Sequence, residues 1–517
     1  MRLLLAVPLK SEQRVRQLDK INLEVIMLKK KMFIGGEWIS AISGDTRLIE
    51  NPYDSSHVAE VPEGNREDAK KAIKEARKAF DQGWGQTEAK QRQDLLFKLA
   101  NLIKRDKEEL AKLETLNTGK TLEESLWDMD DIFNIFQFYA KLLDKDFSES
   151  VESPIPNSSS VVIKEPVGVC GQISPWNYPL LQASWKMAPA LAAGCSIIMK
   201  PSELTPLTTI KVTELAVEAG YPPGVVNTVC GPGHSVGAEL AENHAVDLIS
   251  FTGGSLTGRK IMNAASGNIK KVALELGGKN PHIIFEDADF ETAIDYALNG
   301  VFFHAGQICS AGTRLMIHSS ISDAFTEGLK SRMEKIKLGN GFEEGTEMGP
   351  VISREHLSKI ESYIDVAKSE GAKLVFGGER PSDENLRKGH FILPTLFSNC
   401  HSSMRIVQEE VFGPVITIET FENEEEAVTK ANDSIYGLSA GFWTKDPERI
   451  QRVKKALRFG TVWVNDFNTY FTEAPWGGYK QSGIGRELGH LGLEEYQETK
   501  HIFENHKPTP LNWFGKA

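Results

Sequence analysis

The fold is decided by residues 167–280. In order they read VGVCGQI (167–173), LQASWKMAPALAAG (181–194), CSIIMKP (195–201), LTTIKVTELAVEAG (207–220), VVNTVCG (225–231), HSVGAELAENH (234–244), DLISFTG (247–253), SLTGRKIMNAAS (255–266) and KKVALELGG (270–278). Five short, continuously apolar runs alternate with four patterns of helical spacing. Strands apolar on both faces and separated by about a dozen helical residues predict βαβ units, with a parallel sheet covered on both sides. The alternation resumes after 281 with NPHIIF, RLMIHS, GHFILPTLF, PVITIETF, GLSAGFWT and GTVWVN, which predicts a second α/β layer. Upstream lie a hairpin-like FIGGEWI (33–39) and charged helical patterns at 66–80 and 90–120. Pro and Ser punctuate 153–166 and mark a candidate domain boundary there.

With 517 residues, the length prior is roughly three domains. Lys and Arg number 59 against 71 Asp and Glu, a net charge of -12, which disfavours nucleic acid as a partner. Lys29, Lys30 and Lys31 form the one short basic run and are expected to be a solvated tail. Five cysteines without a C-x-x-C pair exclude a disulfide scaffold or zinc ribbon and point to a reducing, cytoplasmic setting. No apolar run is long enough to span a membrane. Globular patterning starts at Met32, so residues 1–31 are expected to be an N-terminal extension.

A parallel sheet suggests a nucleotide, yet the strict G-x-G-x-x-G fingerprint is missing and GPGHSVG (231–237) has the wrong spacing. Strand ends are better candidates, because open α/β sheets bind ligands beyond the carboxyl ends of their strands. Lys200 and Glu203 follow one such strand. A carboxylate at 203 suits two ribose hydroxyls and repels a 2′-phosphate, favouring NAD over NADP. Gly253 and Gly254 precede a helix whose N-terminal N–H groups suit a pyrophosphate. Cys309 sits in FFHAGQICSAG, where flanking glycines admit close approach and a backbone N–H can serve an oxyanion. A free thiol titrates at roughly 8.5, so such a nucleophile needs a base or a positive field. Glu275, after an apolar strand and before two glycines, suits a general base whose pKa is raised by burial.

PWNYP (175–179), MKPSE (199–203), FTGG (251–254), LELGGKNP (274–281), GQICSAG (306–312), QEEVFGPV (408–415) and PWGGYKQSGIGRELG (475–489) occur in one chain in this order. Together they closely resemble the NAD(P)-dependent aldehyde dehydrogenase superfamily across roughly residues 32–510. PWNYPLLQASWK and NDFNTYFTEAPWGGYKQSG are most similar to the branch of that family acting on betaine aldehyde in bacteria. The resemblance implies a Rossmann-type cofactor domain (32–150 and 169–277), an α/β catalytic domain (278–480) and an oligomerisation arm (151–168 and 481–517). It also implies NAD-dependent oxidation of betaine aldehyde to glycine betaine, an osmoprotectant made from choline. Other aminoaldehydes, such as 4-aminobutyraldehyde or 4-trimethylaminobutyraldehyde, are the alternative.

Residue by residue, the resemblance makes Cys309 the nucleophile, Asn177 and the Cys309 N–H the oxyanion donors, Glu275 the base, and Lys186 with Glu487 a proton relay. Ser174, Pro175, Trp176, Lys200, Pro201, Ser202, Glu203, Gly253, Gly254, Ser255, Glu410 and Phe412 would line the cofactor. Tyr178, Trp185, Phe303, Tyr470 and Trp476 would surround the aldehyde. Aromatic faces suit a quaternary ammonium, which donates no hydrogen bonds, and Tyr178 and Trp185, seven apart, share a helix face. Related enzymes often carry tryptophan where this chain has Phe303. The backbone carbonyls of Lys480 and Gly483 match a potassium site. The arm hairpin is expected to pair with strand 497–505 of a partner subunit in a dimer or tetramer. Three rivals are a thiol hydrolase using Cys309 and His304, a CoA-acylating relative and a non-enzymatic binding protein; Glu275 as a water-activating base weighs against the second.

Overall fold

The computed structural model describes residues 27–511, 513 and 514. Most of the expected N-terminal extension therefore lies outside the described residues. Its last part is structured: Leu28–Lys29 runs parallel to His57–Pro62. Lys30, expected in a solvated tail, instead bonds Glu214 at 3.0 Å.

Eight strands form the first sheet, in the spatial order Gly483–Ile484, Lys271–Leu276, Leu248–Gly253, Val169–Ile173, Ser196–Lys200, Val226–Thr228, Met32–Ile34 and Glu37–Ile39. The middle five are parallel. Strand order reverses between Val169–Ile173 and Leu248–Gly253, and the crevice beyond such a switch point is where open α/β sheets take ligands. Seven strands form the second sheet: Lys373–Phe376, Thr395–Ser398, Val415–Phe421, Arg314–His318, Pro281–Ile284, Ser439–Trp443 and Thr461–Val464. Only the Lys373–Phe376 edge is antiparallel. The first sheet's strand Lys271–Leu276 runs through Gly277–Asn280 directly into the second sheet, so Glu275 stands at the junction.

Helix Pro179–Ala193 packs between the first sheet's strands Val169–Ile173 and Ser196–Lys200 and the helices Ala89–Arg105 and Leu122–Leu142, with all its residues buried. Its sequence is apolar around the whole circumference, as a fully enclosed helix requires. Lys186 is the one charge on it, and so must find its partner inside the protein.

The arm differs from expectation in its pairing. Ser158–Pro166 pairs antiparallel with Gln497–Asn505 of the same chain, in unbroken register from Pro166↔Gln497 to Ser158↔Asn505. Val167 N–H extends the ladder to Tyr496 O at 3.0 Å. The intrachain strand thus takes the place assigned to a partner's strand. Gly483–Ile484, beyond the expected catalytic boundary at 480, joins the first sheet beside Glu275.

Candidate active site

Helix Phe290–Phe302 ends in a left-handed turn that carries the chain to Cys309. His304, Ala305 and Gly306 have φ of 46°, 52° and 73°. Two non-glycine residues in that region cost of order 1–3 kcal/mol each and persist only where surrounding contacts over-determine them. Here Glu124 accepts from His304 N at 2.6 Å, and a Cβ on Gly306 would stand 2.2 Å from Gly413 O. Asn280 clamps the next turn, donating from Nδ2 to Cys309 O at 2.8 Å and to Ala311 O at 3.1 Å. Asn177 Nδ2 donates to Gln307 O at 2.8 Å, which leaves its second amide hydrogen free for a ligand. Asn177, Glu275, Glu410, Phe412 and Cys309 line one cavity of about 240 Å³. Burial, with Glu275 and Glu410 nearby, pushes the Cys309 thiol up to about 12, against the N–H groups of Ser310 and Cys309, which favour the thiolate.

Both carboxylate oxygens of Glu275 are buried without a hydrogen-bond partner. Burial first, then the neighbouring Glu487, raises its pKa well above the ordinary carboxylate value. Lys186 ion-pairs with Glu487 and donates to Thr252 Oγ1 at 2.7 Å. Thr252 pairs with Glu275 across adjacent strands, so the expected base and relay pair form one buried cluster. Glu487 and Trp476 exchange two backbone hydrogen bonds, of 2.7 and 2.8 Å.

A second cavity of about 610 Å³ opens from the switch point and shares Pro175, Trp176, Gly253 and Gly254 with the first. Ser174, Lys200, Ser202, Glu203, Gly233 and His234 also line it, so the dismissed GPGHSVG segment contributes after all. Lys200 Nζ stands 2.9 Å from Glu203 Oε2. Burial pushes Glu203 up, but the Lys200 charge and hydrogen bond outweigh it and hold the carboxyl below its usual value. Ser174 Oγ is buried without a partner. A glycine-led helix N-terminus, an ionised carboxylate and an orphan hydroxyl together fit a dinucleotide. Pro201 only gives its carbonyl to Lys200, and Ser255 faces a separate small cavity beside Arg259 and Gln481. Glu410 Oε1 accepts from Gly278 N at 3.1 Å, and a Cβ at Gly277 would meet Glu410 Oε2 at 2.1 Å; glycine there is what admits the carboxylate. Burial pushes Glu410 up to about 7. Trp176 packs edge-on against Phe412 and His356, missed in the sequence.

On its other side Cys309 opens to a cavity of about 310 Å³ that holds all five expected aromatics, Tyr178, Trp185, Phe303, Tyr470 and Trp476. Helix Leu122–Leu142 adds Trp127, Glu124, Asp128 and Asp131, none of them anticipated. Trp127 packs edge-on to Phe303 at 6.0 Å, bringing an indole to the wall where position 303 lacks one. Tyr470 OH donates to Asp131, whose pKa burial raises to about 6. Lys120 Nζ lies 4.1 Å from the Tyr178 ring centroid and 2.6 Å from Asp128.

Lys480 turns its ammonium onto the carbonyls of Asn432 and Ser434, and Gly483 serves as strand partner to Glu275. His304 leaves both ring nitrogens unpartnered and packs on Tyr178 at 5.5 Å, so no oriented Cys–His pair exists for a thiol hydrolase.

A wide crevice at the sheet switch point, joined through a cysteine loop to an open aromatic cavity, defines a cofactor-dependent enzyme that handles a small substrate on a thiol. The chain belongs to the aldehyde dehydrogenase family, whose model matches residues 38–502. It is 62% identical to betaine aldehyde dehydrogenase of Bacillus subtilis over 94% of this chain and all of that protein. It is 44% identical to a peroxisomal aminoaldehyde dehydrogenase of Malus domestica, covering 94% and 97%. Among solved structures, betaine aldehyde dehydrogenase of Staphylococcus aureus in complex with NAD+ matches with a TM-score of 0.93 and 57% identity, covering 95% of this chain and 97% of that one.

Proposed function

We propose that this protein oxidises betaine aldehyde to glycine betaine with NAD. The observation that carries the proposal is the cavity where seven aromatic residues and three carboxylates surround the approach to Cys309. A trimethylammonium group cannot donate hydrogen bonds, so ring faces, at about 0.5–2 kcal/mol each, and a negative field are what can recognise it. The names of the bacterial relatives support the same choice.

Cys309 gives up its thiol proton to solvent as Sγ adds to the aldehyde carbon, and the oxyanion takes hydrogen bonds from the free Asn177 amide hydrogen and the Cys309 N–H. Bound NAD supplies the hydride acceptor. Lys200, Glu203 and the Gly253–Gly254 helix entry would hold its adenosine and pyrophosphate, Glu410 its second ribose, and Trp176 and Phe412 its flank. Hydride loss from the adduct leaves a thioester on Sγ. Glu275 takes a proton from water, the resulting hydroxide attacks the thioester, and the carboxylate and the thiol are released with one proton over. Lys186 and Glu487 carry the proton away.

The test is NADH absorbance on mixing protein, NAD and betaine aldehyde without CoA. Steady NADH formation is expected; no signal, or one that requires CoA, overturns the proposal. Glu124, Asp128 and Asp131 favour a second reading: 4-aminobutyraldehyde, whose primary ammonium can donate to them, or 4-trimethylaminobutyraldehyde, whose quaternary head they attract by charge alone. Ranking kcat/KM across these aldehydes decides between them. We also infer a homo-oligomer, dimer or tetramer, because Ile502 and Phe503 lie 45% and 44% exposed on the outer arm strand.

A further inference from the structure

Phe467 fills a slot that exists only because three residues around it lack side chains. A Cβ at Gly441, on Ser439–Trp443, would stand 2.4 Å from its ring. At Gly312, just past the nucleophile, the distance would be 2.7 Å, and at Gly300, on Phe290–Phe302, 3.0 Å. The ring stacks on His282 at 4.3 Å, whose Nε2 accepts from Trp443 Nε1 at 2.9 Å, and tilts against Trp463 at 4.8 Å. Phe467 also lines the aldehyde cavity beside Tyr470 and Trp476, but the three glycines, His282 and Trp463 hold its remaining sides, and interiors packed at this density transmit displacement rather than absorb it. The segment it anchors is tied down on both sides: Ser310 Oγ donates to Asn468 Oδ1 at 2.8 Å, and Trp463 Nε1 donates to Thr469 O at 2.7 Å. Tyr470 and Trp476 follow directly, on the wall of the aldehyde cavity.

We propose that Phe467 is a positioning residue for substrate selectivity. Seated against Gly312 of the cysteine loop, it fixes the segment bearing Tyr470 and Trp476 at a set distance from Cys309. The aromatic faces then meet a cationic head when the carbonyl carbon reaches the sulphur. The inference rests on the betaine aldehyde reading above. It does not require Phe467 to touch the substrate.

The test compares kcat/KM for betaine aldehyde with that for 3,3-dimethylbutanal, an uncharged aldehyde of the same shape. Phe467→Leu is expected to lower the betaine aldehyde to dimethylbutanal ratio about ten-fold, mainly through KM, because ring–cation geometry is lost while the neutral substrate depends on it little. Iodoacetamide labelling of Cys309 should stay within about two-fold of wild type, the factor by which a site left in place differs only trivially in free energy. Gly441→Ala, which intrudes on the same ring, should move the ratio in the same direction, and the double variant should lose less than the product of the two. An equal loss for both aldehydes in either variant, or strictly multiplicative effects, makes Phe467 ordinary core and overturns the proposal. Gly441→Ala alone decides the matter if Phe467→Leu does not fold. Wild-type protein inactive on betaine aldehyde overturns the functional reading; active wild type with an unmoved ratio overturns this inference alone.

Discussion

Cys309 faces two carboxylates and no fixed cation, and its thiol is held at about 12. The thiolate fraction should therefore keep rising with pH well past neutrality. Iodoacetamide inactivation of the cofactor-free protein is expected to accelerate about ten-fold per pH unit between pH 7 and 9, as thiolate chemistry dictates. A plateau in that range would show that the site stabilises the thiolate by itself. Burial raises the Glu275 pKa well above the ordinary carboxylate value, and a base of raised pKa suits water activation near neutral pH. Glu275→Gln should give one equivalent of NADH per site in a stopped-flow burst, followed by a steady rate lowered by about 10²–10⁴. Cys309 and Glu275 were legible because glycines flank them and backbone approach explains those glycines. Asn280 was not, since its work consists of hydrogen bonds to carbonyls 29 and 31 positions away.

Helix Leu122–Leu142 shows why the aldehyde cavity was only half legible. Its acids drew no reading from the sequence, yet Asp128 and Glu124 turn inward and are buried; periodicity places charges on a face without saying what that face meets. The aromatics fared better, because their segments carry the family motifs. Lys120 precedes the helix, and its fully buried ammonium reaches Asp128 at 2.6 Å and Glu114 at 3.9 Å. Removing one partner of a buried pair typically costs about 3–5 kcal/mol. Lys120→Met should lower the urea midpoint accordingly, and Lys120→Met/Asp128→Asn should recover part of it; equal midpoints for the single variant and wild type would refute the assignment. The arm failed differently. Strand pairing at 497–505 is non-local, and only the folded chain reveals that its partner is residues 158–166 of the same molecule.

Across the whole molecule, a net charge of -12 and carboxylates lining the aldehyde cavity give a field of one sign. Such a field steers cations and is screened over about 8 Å at physiological ionic strength. Raising salt should depress kcat/KM for betaine aldehyde several-fold while leaving the uncharged isostere nearly unchanged, consistent with screened steering; parallel salt curves would remove any role for the field. The two sheets meet where Glu275, Gly277–Asn280 and Cys309 converge, so one cavity faces the cofactor crevice and another the aldehyde. The reciprocal backbone bridge between Trp476 and Glu487 links the two halves of the chemistry. Because one residue of that bridge walls the aldehyde cavity while the other pairs with Lys186, redesign of the pocket is directional. Enlarging it at Trp476 would trade substrate scope against thioester hydrolysis, whereas Trp127, on a helix without that linkage, is the wall through which substrate range can diversify while turnover is kept.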